Sequence, residues 1–435
     1  FGYPGNYNDD ILQTWVGIGS QIDGLGHLGE GGLYYNCLDE KEISVITGLT
    51  KLGVHDIPPL VGRGVLLDMA KHFGKELLLA GENFGEEDIK AAAKAQGVTI
   101  GGTVAEGEVS GMMALFAGDR FSNFRNIDQF VATAEMTPSP DPWDLGTSND
   151  SLRYQADFMG NPTSLEEFIS LSDTTAFLVI RDGQVVYEKY AHGDSRKSLH
   201  ASFSVAKSFT SALLGIALGE GKIGSLDDPI RQYLPELTSK TFDGVSVKHV
   251  LQMSSGMRFN ETYTDPNSDI NKMAGMVPPM SYLEYINTLG QEHTPGTFNH
   301  YASINTQLLG ILLVRVTGES LTNYMTNRLW HPLGMEYSGL WTLDEQGFEL
   351  AMGGLAAAAR DYAKLGMLYL DNGKRETLQI LPPGWTSESV TPNEPHLMPG
   401  ANTNSSNESG YQYQWWTPRD WDGDFLARGI WGQSI

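Results

Sequence analysis

One cysteine, few cations and no long apolar run mark this chain of 435 residues. Cys37 has no second cysteine to pair with, so an intrachain disulfide is excluded, which suits a reducing compartment. Lys and Arg number 29 against 53 Asp and Glu, a formal net charge of −24, and such a balance argues against a nucleic-acid-binding surface, which needs clustered cations. No apolar stretch approaches the roughly 20 residues of a membrane span. The longer ones, such as Leu308–Val314, have the size of a core-helix segment. The sequence starts at Phe1, without methionine and without a charged-then-apolar leader, so it reads as an internal fragment. With the single cysteine, this points to the cytoplasm. What is present, 40 % apolar residues and 50 glycines, is the composition of a loop-rich globular protein.

The chemistry is concentrated at Leu199–Gly215, LHASFSVAKSFTSALLG, where a short polar turn runs into an apolar, small-residue helix. Ser204 and Lys207 lie three positions apart, on one helical face. A serine becomes a good nucleophile when a base is held within hydrogen-bond reach, and a lysine serves when burial disfavours its charged form. The run Ser208–Leu218 supplies the apolar surroundings that would bury it. A second element is Pro295–Gly310, PGTFNHYASINTQLLG, which places Tyr301 and Ser303 at a loop-to-helix junction. A tyrosine with an ordinary pKa of about 10 acts as a base if a nearby ammonium favours its phenolate, and Lys207 would be such a group. His249, in the segment Val247–Phe259 whose helix is expected to end at Ser254-Ser255-Gly256, is assigned no role.

Around these elements, Thr175–Tyr190 reads as a hairpin turning at Asp182-Gly183. Glu135–Asp150 reads as an extended strap, Gly353–Leu370 as one helix with Arg360, Asp361 and Lys364 on its polar face, and Phe425–Ile435 as a strand.

The N-terminal stretch carries SQIDGLGH and IPPLVGRGVLLDM, blocks that resemble part of the cyclase family of kynurenine formamidase-type metal hydrolases. In the typical motif two histidines and an aspartate hold the metal. Here the first two histidine positions fall on Gly17 and Gln21, while Asp23 and His27 match. The resemblance covers about the first hundred residues and implies a partial α/β segment whose metal ligands would be Asp23 and His27.

The order Ser204-x-x-Lys207, Tyr301-Ala302-Ser303, Ala427-Arg428-Gly429 resembles the three motifs of serine hydrolases similar to class C β-lactamases. FSVAKSFTSALLG, PGTFNHYASINTQLLG, HPLGM, GGLAAAARDYAKLG and ARGIWGQSI look closest to the carboxylesterase and 6-aminohexanoate-dimer hydrolase branch, over roughly Phe121–Ile435. The fold this implies is α+β, an antiparallel sheet flanked by helices plus an all-helical subdomain. The expected division is 1–100, partial cyclase-like segment; 101–160, extended connection; 161–435, hydrolase domain, stopping before the last strand and C-terminal helix usual in such folds.

The resemblance implies Ser204 as acylated nucleophile and Lys207 with Tyr301 as the proton-handling pair. The oxyanion hole would use the backbone N–H groups of Ser204 and Ile430, with Gly429 beside them and Ser303 hydrogen-bonded to Lys207 or to a substrate amide. β-Lactamases carry Lys where this chain has Ala427, so small esters or amides are the expected substrates, with no cofactor for this domain. Two other readings stand beside it: a metal-dependent formamidase-type hydrolase working from the N-terminal segment, and an inactive fusion of two incomplete domains.

Overall fold

In the computed structural model, the described residues are 119–148 and 154–435, with gaps at 159, 266, 275–280 and 345, and a few isolated positions and short strands before them. The chain divides into two compact units, Phe1–Ala105 and Glu106–Ile435. In the first, Gly5–Tyr7 pairs with Leu28–Glu30 and Ser44–Val45 with Gly48–Leu49, both antiparallel. Asp23 and His27, the expected metal ligands, lie outside the described residues.

The second unit combines an antiparallel sheet with flanking helices. Its central elements, in chain order, are β1 (Thr133–Met136), β2 (Leu199–Ala201), α1 (Ala206–Gly219), α2 (Ser303–Thr317), β3 (Gly339–Thr342), β4 (Leu355–Ala358) and α3 (Ala359–Leu370). The four strands form one antiparallel sheet in the order β2-β4-β3-β1, with Leu199 opposite Ala358, Leu340 opposite Ala356 and Gly339 opposite Met136. Thr133–Met136 therefore belongs to the sheet, although it falls within the stretch expected to be a connection.

The Asp-Gly signal does what its chemistry demands. Asp182 and Gly183 both take positive φ, 53° and 75°, and join Ala176–Arg181 to Gln184–Tyr190. That is the backbone a tight hairpin turn requires, and aspartate and glycine tolerate it best.

Gly353–Leu370 does not form a single helix. Leu355–Ala358 is the inner strand β4, fully buried, and the helix begins only at Ala359. Alanine has high helix propensity, but its small side chain also fits a strand with a neighbour on each edge, and tertiary pairing overrides a weak local preference. The polar residues of α3 are not at the surface either. Arg360, Asp361 and Lys364 are at most 2 % exposed. Lys364 Nζ donates to Asp361 at 3.0 Å, to the carbonyl of Gly334 at 2.8 Å and to Glu336 at 3.3 Å, while Arg360 forks onto Glu188.

The helical subdomain is built on α1 and α2. Ala206–Ala217 is buried on every side, which is why its sequence is apolar or small all round. Ser303–Leu313 is equally buried in α2, and short helices such as Val247–Leu251 and Tyr282–Thr288 pack around it. His249 closes a capping box with Ser246, accepting the Ser246 N–H at its Nδ1 (3.2 Å), a local structural task. The C-terminal stretch read as a strand is a small hairpin, Arg428–Gly429 against Gln433–Ser434, because Trp431 and Gly432 turn through positive φ. Among the described residues no helix is long and apolar enough to cross a membrane.

Candidate active site

Ser204 stands at the end of β2, in the one-turn helix Phe203–Val205 that leads into α1. The turn is sharp: Phe203 takes φ +47°, a conformation costly for a bulky residue, and is held there by burial and by an edge-on contact with Phe124 at 5.1 Å. Ser202 N donates to the carbonyl of Leu355 at 2.8 Å and ties the turn to β4. Phe203 and Val205 are buried, whereas Ser204 is half-buried.

Lys207 follows one turn later, as the spacing requires. Its Nζ donates to Ser204 Oγ at 2.9 Å and to the carbonyl of Met352 at 2.5 Å. The side chain is 2 % exposed. Burial brings its pKa down from 10.5 to about 8, with the Glu261 carboxylate pulling the other way. A neutral fraction of about a tenth is thereby available at pH 7, and it grows as pH rises through about 8.

Tyr301 sits two residues before α2. Its ring lies 5.3 Å from Lys207 Nζ, stacks on Trp416 at 5.1 Å and meets Tyr411 edge-on at 5.9 Å. The phenolate expected for this residue is disfavoured. Burial, followed by Tyr411, Glu261 and Tyr263, pushes its pKa well above 10, and hydrogen bonding with Ser204 offsets this in part. Lys207 is the group whose environment favours its neutral, proton-accepting form.

Ser303 departs from expectation. Its hydroxyl donates to Glu261 Oε1 at 2.5 Å and its N–H to Glu261 Oε2 at 2.8 Å, so it is committed to that carboxylate instead of to Lys207. Glu261 also accepts from Tyr263 Oη at 2.8 Å, and Tyr263 has hydrogen bonding with Ser303 and Ser204 as well. Glu261, Tyr263 and Trp416 carry no motif in the sequence. Each is brought in from a loop or strand remote from Ser204, and a one-dimensional pattern holds no sign of that.

Gly429 runs backbone to backbone against the turn that carries Ser204, its Cα bearing on Ser202 and Ser204. Ile430 follows it and packs on the Phe203 cluster. Ala427 is fully buried, with its backbone paired to Ile435, and its methyl side chain carries no charge. Arg428 is exposed, and its guanidinium lies 6.0 Å from the centre of the Trp416 ring.

The family profile described as Beta-lactamase matches residues 172–434. The 6-aminohexanoate-dimer hydrolase of Paenarthrobacter ureafaciens is 31 % identical over 280 residues, which is 62 % of this chain and 71 % of that protein. A beta-lactamase of Escherichia coli (strain K12) is 28 % identical over 170 residues, 38 % of this chain and 42 % of its own length. Among solved structures, a Bacillus anthracis protein provisionally assigned as a 6-aminohexanoate-dimer hydrolase superposes with a TM-score of 0.67 at 26 % identity, over 76 % of this chain and 88 % of that one. The family match lies wholly outside the N-terminal stretch expected to be cyclase-like. By its matched length, its fold and these relatives, the chain belongs to the beta-lactamase family of serine hydrolases.

Proposed function

We propose that the protein cleaves small esters or linear amides through an acyl-enzyme on Ser204. The observation that carries this reading is the 2.9 Å hydrogen bond between Ser204 Oγ and a buried Lys207 whose pKa is lowered to about 8. Ser204 Oγ attacks the substrate carbonyl, and its proton passes to neutral Lys207. The tetrahedral oxyanion is received by the N–H groups of Ser204 and Ile430, the strand of Gly429 being pressed against the nucleophile turn. Tyr301, as a neutral phenol beside Lys207 and in hydrogen bonding with Ser204, relays a proton to the departing alkoxide or amine. Water then attacks the acyl-enzyme carbonyl, giving its proton back through the same pair, and the carboxylic acid leaves with Ser204 restored. Protein groups fill every role, so the reaction as proposed requires no cofactor.

The buried Ala427 supports esters and open-chain amides over bicyclic β-lactams, because no cation projects from that position toward a substrate carboxylate. A linear amide of the kind named for the Paenarthrobacter relative is one substrate to try. The deciding experiment is labelling by a fluorophosphonate probe together with p-nitrophenyl acetate turnover, in wild type and Ser204→Ala. Both signals should vanish in the variant. A folded wild-type protein that takes no label overturns the proposal.

A further inference from the structure

Glu261 is a carboxylate set into the site with its oxygens spoken for. Ser303 N, Ser303 Oγ and Tyr263 Oη all donate to it. The backbone donor is informative. Helix α2 starts after Ala302 with no side-chain cap of its own, so its first-turn N–H is satisfied by Glu261 from a separate loop. Tyr301 is two residues upstream of that contact, so whatever fixes the head of α2 also fixes the tyrosine.

The charge faces a defined set of groups. Lys207 comes from α1, Tyr263 from the same loop as Glu261, Tyr301 from the head of α2 and Tyr411 from the strand Gly410–Gln412. Each of the four feels the Glu261 charge. The Arg428 guanidinium stands over Trp416, the ring stacked on Tyr301. Of these, Lys207 is the group that gains a positive charge when Ser204 loses its proton, and it gains it in a buried place.

We propose that Glu261 is a positioning residue for the hydrolytic reaction: it pins the head of α2 that carries Tyr301, and it supplies the countercharge for the ammonium formed on Lys207 as Ser204 attacks. The inference rests on the serine mechanism above. A countercharge placed before the reaction costs no reorganisation when the proton moves, so its benefit falls on the transition state more than on substrate binding. It also makes Lys207 more basic than burial alone would leave it.

The test is a set of pH–rate profiles with p-nitrophenyl acetate for wild type, Glu261→Gln and Glu261→Asp, with melting curves alongside. Glu261→Gln should lower kcat about tenfold or more with KM nearly unchanged. It should also move the acid limb of kcat/KM to lower pH, by on the order of half a unit or more, since loss of the carboxylate removes what favours the ammonium. Glu261→Asp keeps the charge and should leave the limb where wild type has it. Should Glu261→Gln not fold, Glu261→Ala removes the same charge and should move the limb the same way. A limb that stays in place in the folded variant overturns the inference, even if activity falls. Failure of the serine mechanism shows separately, as wild-type protein that takes no fluorophosphonate, and the inference falls with it.

Discussion

A Cβ added to Gly429 would stand 2.2 Å from the carbonyl oxygen of Ser202, closer than any side-chain carbon can sit. The φ of Gly429 is −129°, so the requirement for glycine here is one of space and not of backbone conformation. The same Cβ would lie 3.2 Å from Ser204 N.

Gly429→Ala should therefore push the C-terminal strand away from the nucleophile turn and widen the proposed oxyanion hole. Turnover of p-nitrophenyl acetate is expected to drop about 10²–10³-fold, the usual effect of losing one such donor. The melting temperature should fall far less than for a core cavity, because only a short hairpin moves. Turnover at the wild-type level would disprove the assignment.

Lys207→Met should abolish turnover and at the same time stabilise the fold at pH 7. A pKa lowered to about 8 corresponds to roughly 3 kcal/mol spent on burying the ammonium, at about 1.4 kcal/mol per tenfold change in the equilibrium. The sign follows from linkage. Below about pH 8 folded and unfolded chains both carry the proton and the burial cost is present in full. Between about 8 and 10.5 the folded chain has released it while the unfolded chain still holds it, so this group's contribution to stability improves as pH rises. Urea denaturation of wild type and variant at pH 7 and pH 10 measures both effects; the gap between them should narrow at the higher pH.

Activity in the wild type should climb through about pH 8 as Lys207 loses its proton, and should show no downward limb from Tyr301 up to pH 10, its pKa being pushed well above 10. Tyr301→Phe keeps the ring that stacks on Trp416 but removes the relay. A loss of about 10²–10⁴-fold in kcat is expected. A pH–rate profile of both proteins is the check, and a descending limb below pH 10 that disappears in the variant would show a tyrosine ionising in the working range after all.

Lys364→Met should be among the costlier substitutions away from the site. Lys364 and Asp361 are both fully buried 3.0 Å apart, and removal of the cation leaves the carboxylate without its countercharge. Breaking a buried pair costs about 3–5 kcal/mol. The double variant Asp361→Leu, Lys364→Met should recover part of this, a coupling that urea melts of the single and double variants measure.

Much of the site was legible where local geometry is the ruler. Ser204 and Lys207 are joined by one turn of helix, so their spacing alone predicted the contact that the fold makes. The Asp182-Gly183 hairpin was legible for the same reason, since two residues with positive φ need only themselves. Tyr301 could be placed by its order among the motifs, but not its protonation state. That depends on burial against Trp416 and Tyr411 and on the charge of Glu261, which no neighbouring residue discloses. Leu355–Ala358 was misread as helix because alanine's local preference is weak beside a strand partner on each edge.

The sequence by itself determined the nucleophile turn, the amphipathic and all-apolar helices, the hairpin and the family, because each is written in residues close along the chain or in motifs whose order is preserved. Only the tertiary structure decided that Ser303 serves Glu261 and not Lys207, that Tyr301 stays a neutral phenol, and that Arg360, Asp361 and Lys364 lie buried in ion pairs. These are matters of desolvation and of charges meeting across distant segments. Both depend on which surfaces the completed fold excludes from water, and that is a property of packing and not of any stretch of the chain.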